Sequence, residues 1–410
     1  MGIPPAGHAL EQDNFTFVER WLKFLLWSRG GAKIWFSGPA PLASALQRHY
    51  RDSATGKFDA EIMGKKVFDR PFEIVAVPAK ELPPEQDDTA ALGRHWDGCR
   101  IGFDLGASDR KIAAVQDGKV LFTEETAWDP RPQVDPQWHF DRIMESLRRA
   151  AEHLPRVDAI GASSAGIYVD NEVRVASLFR GVPDELFRTR VKTLFKDLKK
   201  AWQGIPFEVV NDGEVTALAG AMSLQSAAVL GIAMGSSEAA GYVTPDGNIT
   251  SWLNELAFAP VDYNPAAPVD EWSGDYGCGA QYFSQQALGR LVPASGLEIH
   301  RGASLPEQLV EVQKFMAKGD ERAGRIYETI GTYLGYAVAH YADFYDFKHL
   351  LLLGRVTTGT GGSRIVERAK EVLAGEFPEL EKKITIHLPD EKEKRHGQAV
   401  AAASLPALKQ

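Results

Sequence analysis

The sequence predicts an α/β protein whose main body is two similar lobes. A strand, a glycine-rich turn and a second strand occur near residue 100 and again near residue 230. Helices and strands then alternate, giving an order βββαβα followed by a similar second set. Both sets carry an Asp-Gly turn, Asp117-Gly118 and Asp246-Gly247, a strong short-range hairpin signal. The duplication is coarse, and the two halves do not align as a sequence repeat.

The elements follow in chain order. Residues 15–28 place apolar side chains at helical spacing, and Gly30-Gly31 stop that helix. KIWFSG (33–38) reads as a strand, 40–50 as a helix, and 62–68 and 72–77 as strands. Residues 78–93, rich in Pro, Asp and Glu, read as a linker. RIGFDLGA (100–107) is a strand, KIAAVQDGKVLFTEE (111–125) a hairpin and 135–153 a helix. VDAIGASSAG (157–166) is a buried strand, and a helix at 184–202 leads to the strand FEVVND (207–212) and a helix from 214. AAVLGIAMGSSEAAGYVTPDGNI (227–249) is the second hairpin. A long helix at about 320–346 precedes the buried strand HLLLLG (349–354), the turn TTGTGGS (357–363), the helix RIVERAKEVLAG (364–375) and a small-residue helix, GQAVAAASLPAL (397–408).

Composition narrows the function classes. The 410 residues are 44% apolar and 25% charged, which is globular and excludes wholesale disorder. The formal charge of −9 argues against nucleic acid as the main partner. Two cysteines, Cys99 and Cys278, are too few for a disulfide framework or a four-cysteine zinc site. No run approaches the ~18 apolar residues a membrane helix requires, and the N-terminus lacks a basic region followed by an apolar one. A soluble, cytoplasmic protein with no membrane partner is expected. Residues 1–95 hold twelve Lys/Arg and twelve Asp/Glu, with Trp21, Trp27 and Trp35. A DNA-binding arm should be basic; this neutral, aromatic segment is expected to dock on the body.

Four segments carry chemistry. In Asp104-Leu-Gly106-Ala107-Ser108-Asp-Arg-Lys111 a carboxylate closes a strand and small residues follow. Small residues let backbone N–H groups approach a phosphate, and Asp104 suits Mg²⁺ held through water; a plain turn capped by Asp and Ser has the same pattern. Asn211-Asp212 ends a strand, where a carboxylate facing a cleft can accept a proton from a hydroxyl; the same pair also reads as a helix N-cap. Gly235-Ser236-Ser237-Glu238 could clamp a second phosphate or serve packing alone. Gly354-Arg-Val-Thr-Thr-Gly359-Thr-Gly361-Gly362 lies between a strand and a helix, where a nucleotide can approach backbone. It is not a P-loop, because no Gly-Lys-Ser/Thr follows. Ala162-Ser163-Ser164-Ala165-Gly166 imitates a nucleophile elbow, but an alternating strand pattern follows it instead of a helix. The ten histidines form no HxxH or HExxH pair.

The order of these segments resembles the sugar kinase, hexokinase and actin-type ATPase superfamily, whose two lobes each duplicate a ribonuclease H-like unit. Within it, residues 100–405 resemble the ROK family (repressors, open reading frames, kinases), which includes bacterial glucokinases. The most specific stretch is GDERAGRIYETIGTYLGYAVAHYADFYDFKHLLLLGRVTTGTGG (319–362), similar to the family's long helix, buried strand and adenosine-side glycines. VVNDGEVTALAGAM (209–222) is similar to its Asn-Asp-x-x-x-x-Ala segment. The resemblance implies an ATP-dependent carbohydrate kinase with Asp212 as general base and Asn211 and Glu255 at the sugar. It places Asp104, Gly106, Ala107, Ser108, Lys111, Gly235 and Ser236 around the phosphates, Mg²⁺ on Asp104 through water, and Gly354, Gly359 and Gly361 beside adenosine. It also implies a sugar as small-molecule partner and, since members commonly dimerise, a homodimer. It divides the chain into an α/β extension (1–95), a first lobe (96–213) on which a terminal helix (395–410) packs back, and a second lobe (214–394).

Departures accompany the match. The family's zinc motif survives only as Cys278, so no structural zinc is expected. Ala257 and Phe258 stand near the family's His position, and Ala280 stands for a sugar-contacting Glu. Glu238, beside the second hairpin turn, would repel a phosphate. These departures motivate a second expectation, a non-catalytic sugar- or nucleotide-binding protein on the kinase scaffold. A repressor would need a winged helix-turn-helix within 1–95.

Overall fold

The computed structural model describes residues 2–84, 92–300, 302–389 and 397–408; the middle of the expected linker, 85–91, lies outside them. The chain opens with the helix Asn14–Arg29. Strands β1 (Lys33–Phe36) and β2 (Glu73–Ala76) pair in parallel, joined by the helices Ala40–Asp52 and Ala54–Ala60. A winged helix would pair its strands antiparallel as a hairpin wing. Residues 62–68, expected as a strand, instead lie in a π-helical turn, Glu61–Val67. Ile62, Met63 and Val67 are buried there together, because a four-to-five residue spacing collects apolar groups on one helical side.

The first lobe is built on β3 (Cys99–Leu105), β4 (Asp109–Gln116), β5 (Lys119–Ala127), β6 (Ala159–Ser164) and, after the small hairpin β7 (Ile167–Val169) and β8 (Glu172–Val175), β9 (Phe207–Asn211). The sheet order is β5-β4-β3-β6-β9, antiparallel across the first three and parallel from β3 to β9. Such parallel neighbours require both faces covered, and every β3 residue is buried. The helix expected over 184–202 is broken into Asp184–Leu186, a π turn Phe187–Val191 and Leu194–Ala201. The Lys192 carbonyl leaves the helical ladder to accept the Val173 N–H of β8 at 3.0 Å.

The second lobe repeats the plan with β10 (Val229–Met234), β11 (Glu238–Val243), β12 (His349–Leu353) and β13 (Thr385–His387), ordered β11-β10-β12-β13. In place of a third meander strand, the bridges Val243↔Ile249 and Leu92↔Ile249 extend that edge. The long helix Glu321–Tyr341 packs beside Gly359–Glu376, which begins within the expected glycine-rich turn.

The duplication has a sharper mark than strand order. Gly102-Phe103-Asp104-Leu105-Gly106 in β3 matches Gly231-Ile232-Ala233-Met234-Gly235 in β10, position for position. Each leading glycine lets a helix lie directly on the strand. A Cβ on Gly102 would collide with the Ala399 carbonyl of the helix Gly397–Ala403, and one on Gly161 with the Ala402 carbonyl. A Cβ on Gly231 would lie 3.2 Å from Ala217 Cβ in the helix Asp212–Ser223. The small-residue terminal helix thus covers the first sheet, and Asp212–Ser223 covers the second.

The N-terminal unit touches both lobes. Phe24 stacks on Phe344 at 4.0 Å and Trp27 lies 4.4 Å from Phe258, both second-lobe contacts. On the first lobe, Asp69 pairs with Arg174 and, at 2.7 Å, with Lys192.

Candidate active site

Strand register brings the predicted residues to one sheet edge. Asp104 sits opposite Ser163 on β6 and opposite Lys111 on β4, and Ser164 sits opposite Asn211 on β9. This is the carboxyl end of the parallel strands, where open α/β sheets present ligands. The Ser163 hydroxyl donates to Asp104 Oδ1 at 2.7 Å, and the Lys111 ammonium lies 3.5 Å from Oδ2 and 2.6 Å from Asp109. Burial pushes the Asp104 carboxyl above its ordinary range despite these partners. The serines of the false nucleophile elbow therefore have other work: Ser163 orients Asp104, and Ser164 accepts the Tyr168 hydroxyl at 2.7 Å.

The turn after Asp104 is pinned by a residue that sequence reasoning missed. Trp128 donates its indole N–H to the Gly106 carbonyl at 2.8 Å and its backbone N–H to the Ser108 carbonyl at 3.0 Å. The Gly106 N–H is used within the turn by the Asp109 carbonyl, while Ala107 and Ser108 are exposed. A tryptophan at a strand end gives no local sign of this job.

At Asn211-Asp212 the structure separates the two readings. Asn211 is the N-cap: its Oδ1 accepts the Gly213 N–H at 2.7 Å and its Nδ2 donates to the Gly166 carbonyl at 2.8 Å. Asp212 is the first helical residue, with Oδ1 3.0 Å from the same Gly213 N–H. Asn211 thus supplies the shorter cap to the helix start, and no hydrogen bond to Asp212 Oδ2 is seen among the described residues. Burial and the neighbouring Asp104 charge push the Asp212 carboxyl up to about 6.

Glu255 stands beside Asp212. Burial and the Asp212 charge push its carboxyl up to about 7. Behind it Glu214 is buried, pushed up to about 8 by that burial although Asn254 Nδ2 and the Tyr242 N–H both donate to it. Among the described residues no group of three or more His, Cys, Asp or Glu is placed to hold a metal ion directly.

The second hairpin differs from expectation. Gly235 closes the turn, its N–H donating to the Ser237 carbonyl at 2.9 Å, and Ser236 is exposed at the tip. Glu238 does not face a phosphate. It pairs with Met234 as the first residue of β11 and points inward, accepting the Tyr341 hydroxyl at 3.4 Å with its other oxygen over Gly279. Burial holds its carboxyl up at about 8. The expected repulsion is absent because side chains at 238, 240 and 242 share one strand face, and that face is core.

The three adenosine-side glycines divide. Gly354 has φ 92° and lies against the Met234 backbone, so β12 and the second hairpin meet there. It lines a cleft of about 300 Å³ with Thr216, Ala233, Leu353 and Gln398. Gly359 has φ 67° and faces open space. Gly361 instead makes room for the Tyr327 ring, 2.5 Å from where its Cβ would be, so packing accounts for it. At the positions of departure, Ala280 is buried, and Phe258 packs on Trp27. Cys278 is a buried free thiol.

Comparison with solved structures gives the fold a name. A ROK hexokinase from Thermus thermophilus matches with TM-score 0.57 and 17% identity, covering 74% of this chain and 97% of that one. A ROK family glucokinase from Streptomyces griseus, in complex with glucose and AMPPNP, matches with TM-score 0.55 and 22% identity over 75% of this chain and 98% of that one. A ROK family transcriptional regulator, homolog of the E. coli MLC protein, matches with TM-score 0.58 and 18% identity over 75% and 77%. The chain therefore has the two-lobed, hexokinase-type α/β fold of ROK proteins. That fold serves both sugar kinases and regulators. No family model and no curated protein matches the chain. Among the described residues no helix is long and apolar enough to cross a membrane.

Proposed function

We propose that the protein transfers the γ-phosphate of ATP to a sugar hydroxyl. The observation that carries this reading is that Asn211 caps the helix while the Asp212 carboxyl lies close enough to those of Asp104 and Glu255 for their charges to act on one another. Phosphoryl transfer asks mainly for positioning and charge neutralisation. Asp212 accepts the proton of the attacking hydroxyl, and a carboxyl near 6 is largely ionised at neutral pH while remaining a competent base. Glu255, with Asn211 near it, orients the sugar. Backbone groups of Ala107, Ser108, Gly235 and Ser236 lie against the phosphates, with Lys111 near them. Adenosine lies along Gly354 and Gly359, in the cleft that Ala233 leaves open. Asp104 would hold Mg²⁺ through water, and when bound that ion supplies neutralisation of phosphate charge. Closure of the lobes excludes water.

The second reading, a sugar- or nucleotide-binding protein without catalysis, is favoured by Lys111, whose ammonium is already engaged by Asp104 and Asp109. A panel of hexoses and amino sugars with Mg-ATP, followed by coupled ADP release, decides. Turnover of one sugar supports the kinase; Mg-ATP or sugar binding by calorimetry with no turnover supports the binding protein. Localisation in the cytoplasm and a homodimer accompany either reading, and size-exclusion with light scattering tests the latter.

A further inference from the structure

A dense set of buried charges lies outside the cleft, on the N-terminal helix. Lys23, fully buried, contacts Asp59 at 3.1 Å and Asp275 at 2.7 Å. Arg20 contacts Glu19 at 2.5 Å and the same Asp275 at 2.9 Å. Asp59 also accepts the Trp27 indole N–H at 2.9 Å. Burial alone would lower the Lys23 amine, but the carboxylates of Asp59 and Asp275 more than offset it and keep the ammonium charged. Charges are removed from water only where partners are fixed, so the helix and Asp275 hold each other in one geometry.

Asp275 closes a turn that is rigid in itself. Asp270 Oδ2 accepts the N–H groups of Trp272 and Ser273 and the Ser273 hydroxyl, and the Asp270 N–H donates to the Asp275 carbonyl at 2.7 Å. The other end of the helix is fixed to a second segment. The last four carbonyls of an α-helix have no partner within it. Here the Leu26 carbonyl takes the Gly30 N–H, the Trp27 carbonyl takes the Glu255 N–H at 2.9 Å, and the Ser28 carbonyl takes the Asn254 N–H at 3.0 Å. Asn254 is in the left-handed region at φ 48°, and its side chain accepts the Tyr345 hydroxyl at 2.8 Å. Phe258, four residues on, lies against the Trp27 ring.

We infer that the helix Asn14–Arg29 is a positioning element for Glu255: its orphan carbonyls fix the Asn254-Glu255 backbone, and Lys23 and Arg20 lock the flanking Asp275 turn. The sugar side of the cleft is incomplete without this extension. Lys23 and Trp27 are positioning residues that act through Glu255 and touch neither substrate. The inference rests on the reading of Glu255 as a sugar contact for its consequence, but its geometry can be tested without a sugar.

The test uses the full chain as wild type, Lys23→Met and the milder Trp27→Phe, which keeps an aromatic ring but loses the bond to Asp59. Amide exchange is followed by mass spectrometry. Exchange at Asn254 and Glu255 is expected to rise at least tenfold in Lys23→Met, with Cys99–Leu105 and Val229–Met234 at wild-type rates. If Lys23→Met does not fold, Trp27→Phe is held to the same pattern. Unchanged exchange at 254–255, or an equal rise in all three segments, overturns the positioning role. With whichever sugar the panel identifies, the variant should raise KM for sugar at least tenfold and leave KM for ATP within twofold; equal rises in both contradict the inference. A chain that turns over no sugar defeats the kinase reading and leaves the exchange result to decide this one.

Discussion

The two hairpins that open the lobes are copies with opposite contents. In the first, the second residue before the turn glycine is Asp104; in the second it is Ala233. Asp104 is buried, bonded to Ser163 and flanked by Lys111. Ala233 lines an apolar-walled cleft with Leu353 and Gly354. The copies keep the glycines that admit a covering helix, and they diverge where a ligand would lie. One copy carries a buried carboxylate and the other lines an open cleft; under the proposed function the first would serve phosphate and metal and the second a flat apolar group.

The largest effects should come from altering these two positions. Asp104→Ala is expected to lower activity about 10–100-fold, as loss of an outer ligand to a metal typically does, measured by ADP release at saturating sugar. Ala233→Leu should overfill the cleft, costing about 1–3 kcal/mol and so about tenfold or more in Mg-ATP affinity by calorimetry. If each variant affected metal and nucleotide equally, the division between the copies would fail.

The next effect concerns pH. Activity as kcat/KM should fall as pH drops through about 6, because Asp212 must be ionised to act as base. Asp104 is one cause of that raised value, so Asp104→Asn should move the acidic limb to lower pH. A limb that stays in place would show that Asp104 does not act on the titrating group.

A smaller effect separates Glu238 from Asp104. Its folded carboxyl, near 8, lies above the unfolded 4.5, so the folded state binds the extra proton between those values. Its stabilising effect is full below about 4.5 and is lost as pH rises toward 8. Glu238→Gln should therefore gain thermal stability relative to wild type at pH 8 compared with pH 5, with activity little changed. The smallest effect belongs to Asp69→Ala, which removes half-exposed pairs to Arg174 and Lys192. Such surface pairs contribute about 0–1 kcal/mol, read as a small shift in urea midpoint that shrinks further with salt.

Much of this comparison was legible in the sequence. Asp-Gly turns and uninterrupted apolar strands announced both hairpins, and the carboxyl-end placement of Asp104 and Asp212 followed from where those strands stop. The inward turn of Glu238 was also available, because strand alternation puts it with Ala240 and Tyr242. The π turn at 61–67 was not, since two adjacent apolar residues fit either a strand or a helix. The role of the N-terminal helix was hidden for a different reason. Glu19, Arg20 and Lys23 look like a solvated face until Asp59 and Asp275, distant in sequence, meet them. Long-range pairing of that kind leaves no periodic trace.

The central claim is that Asp212, relieved of capping by Asn211, is the base of a sugar kinase. The most direct measurement is kcat of Asp212→Asn with Mg-ATP and the sugar that wild type turns over best, at pH 7.5 (about 1.5 above the Asp212 value), with circular dichroism verifying the fold. The account predicts a fall of about 10²–10⁴-fold with the fold intact. A folded variant that retains activity within about tenfold of wild type would contradict it.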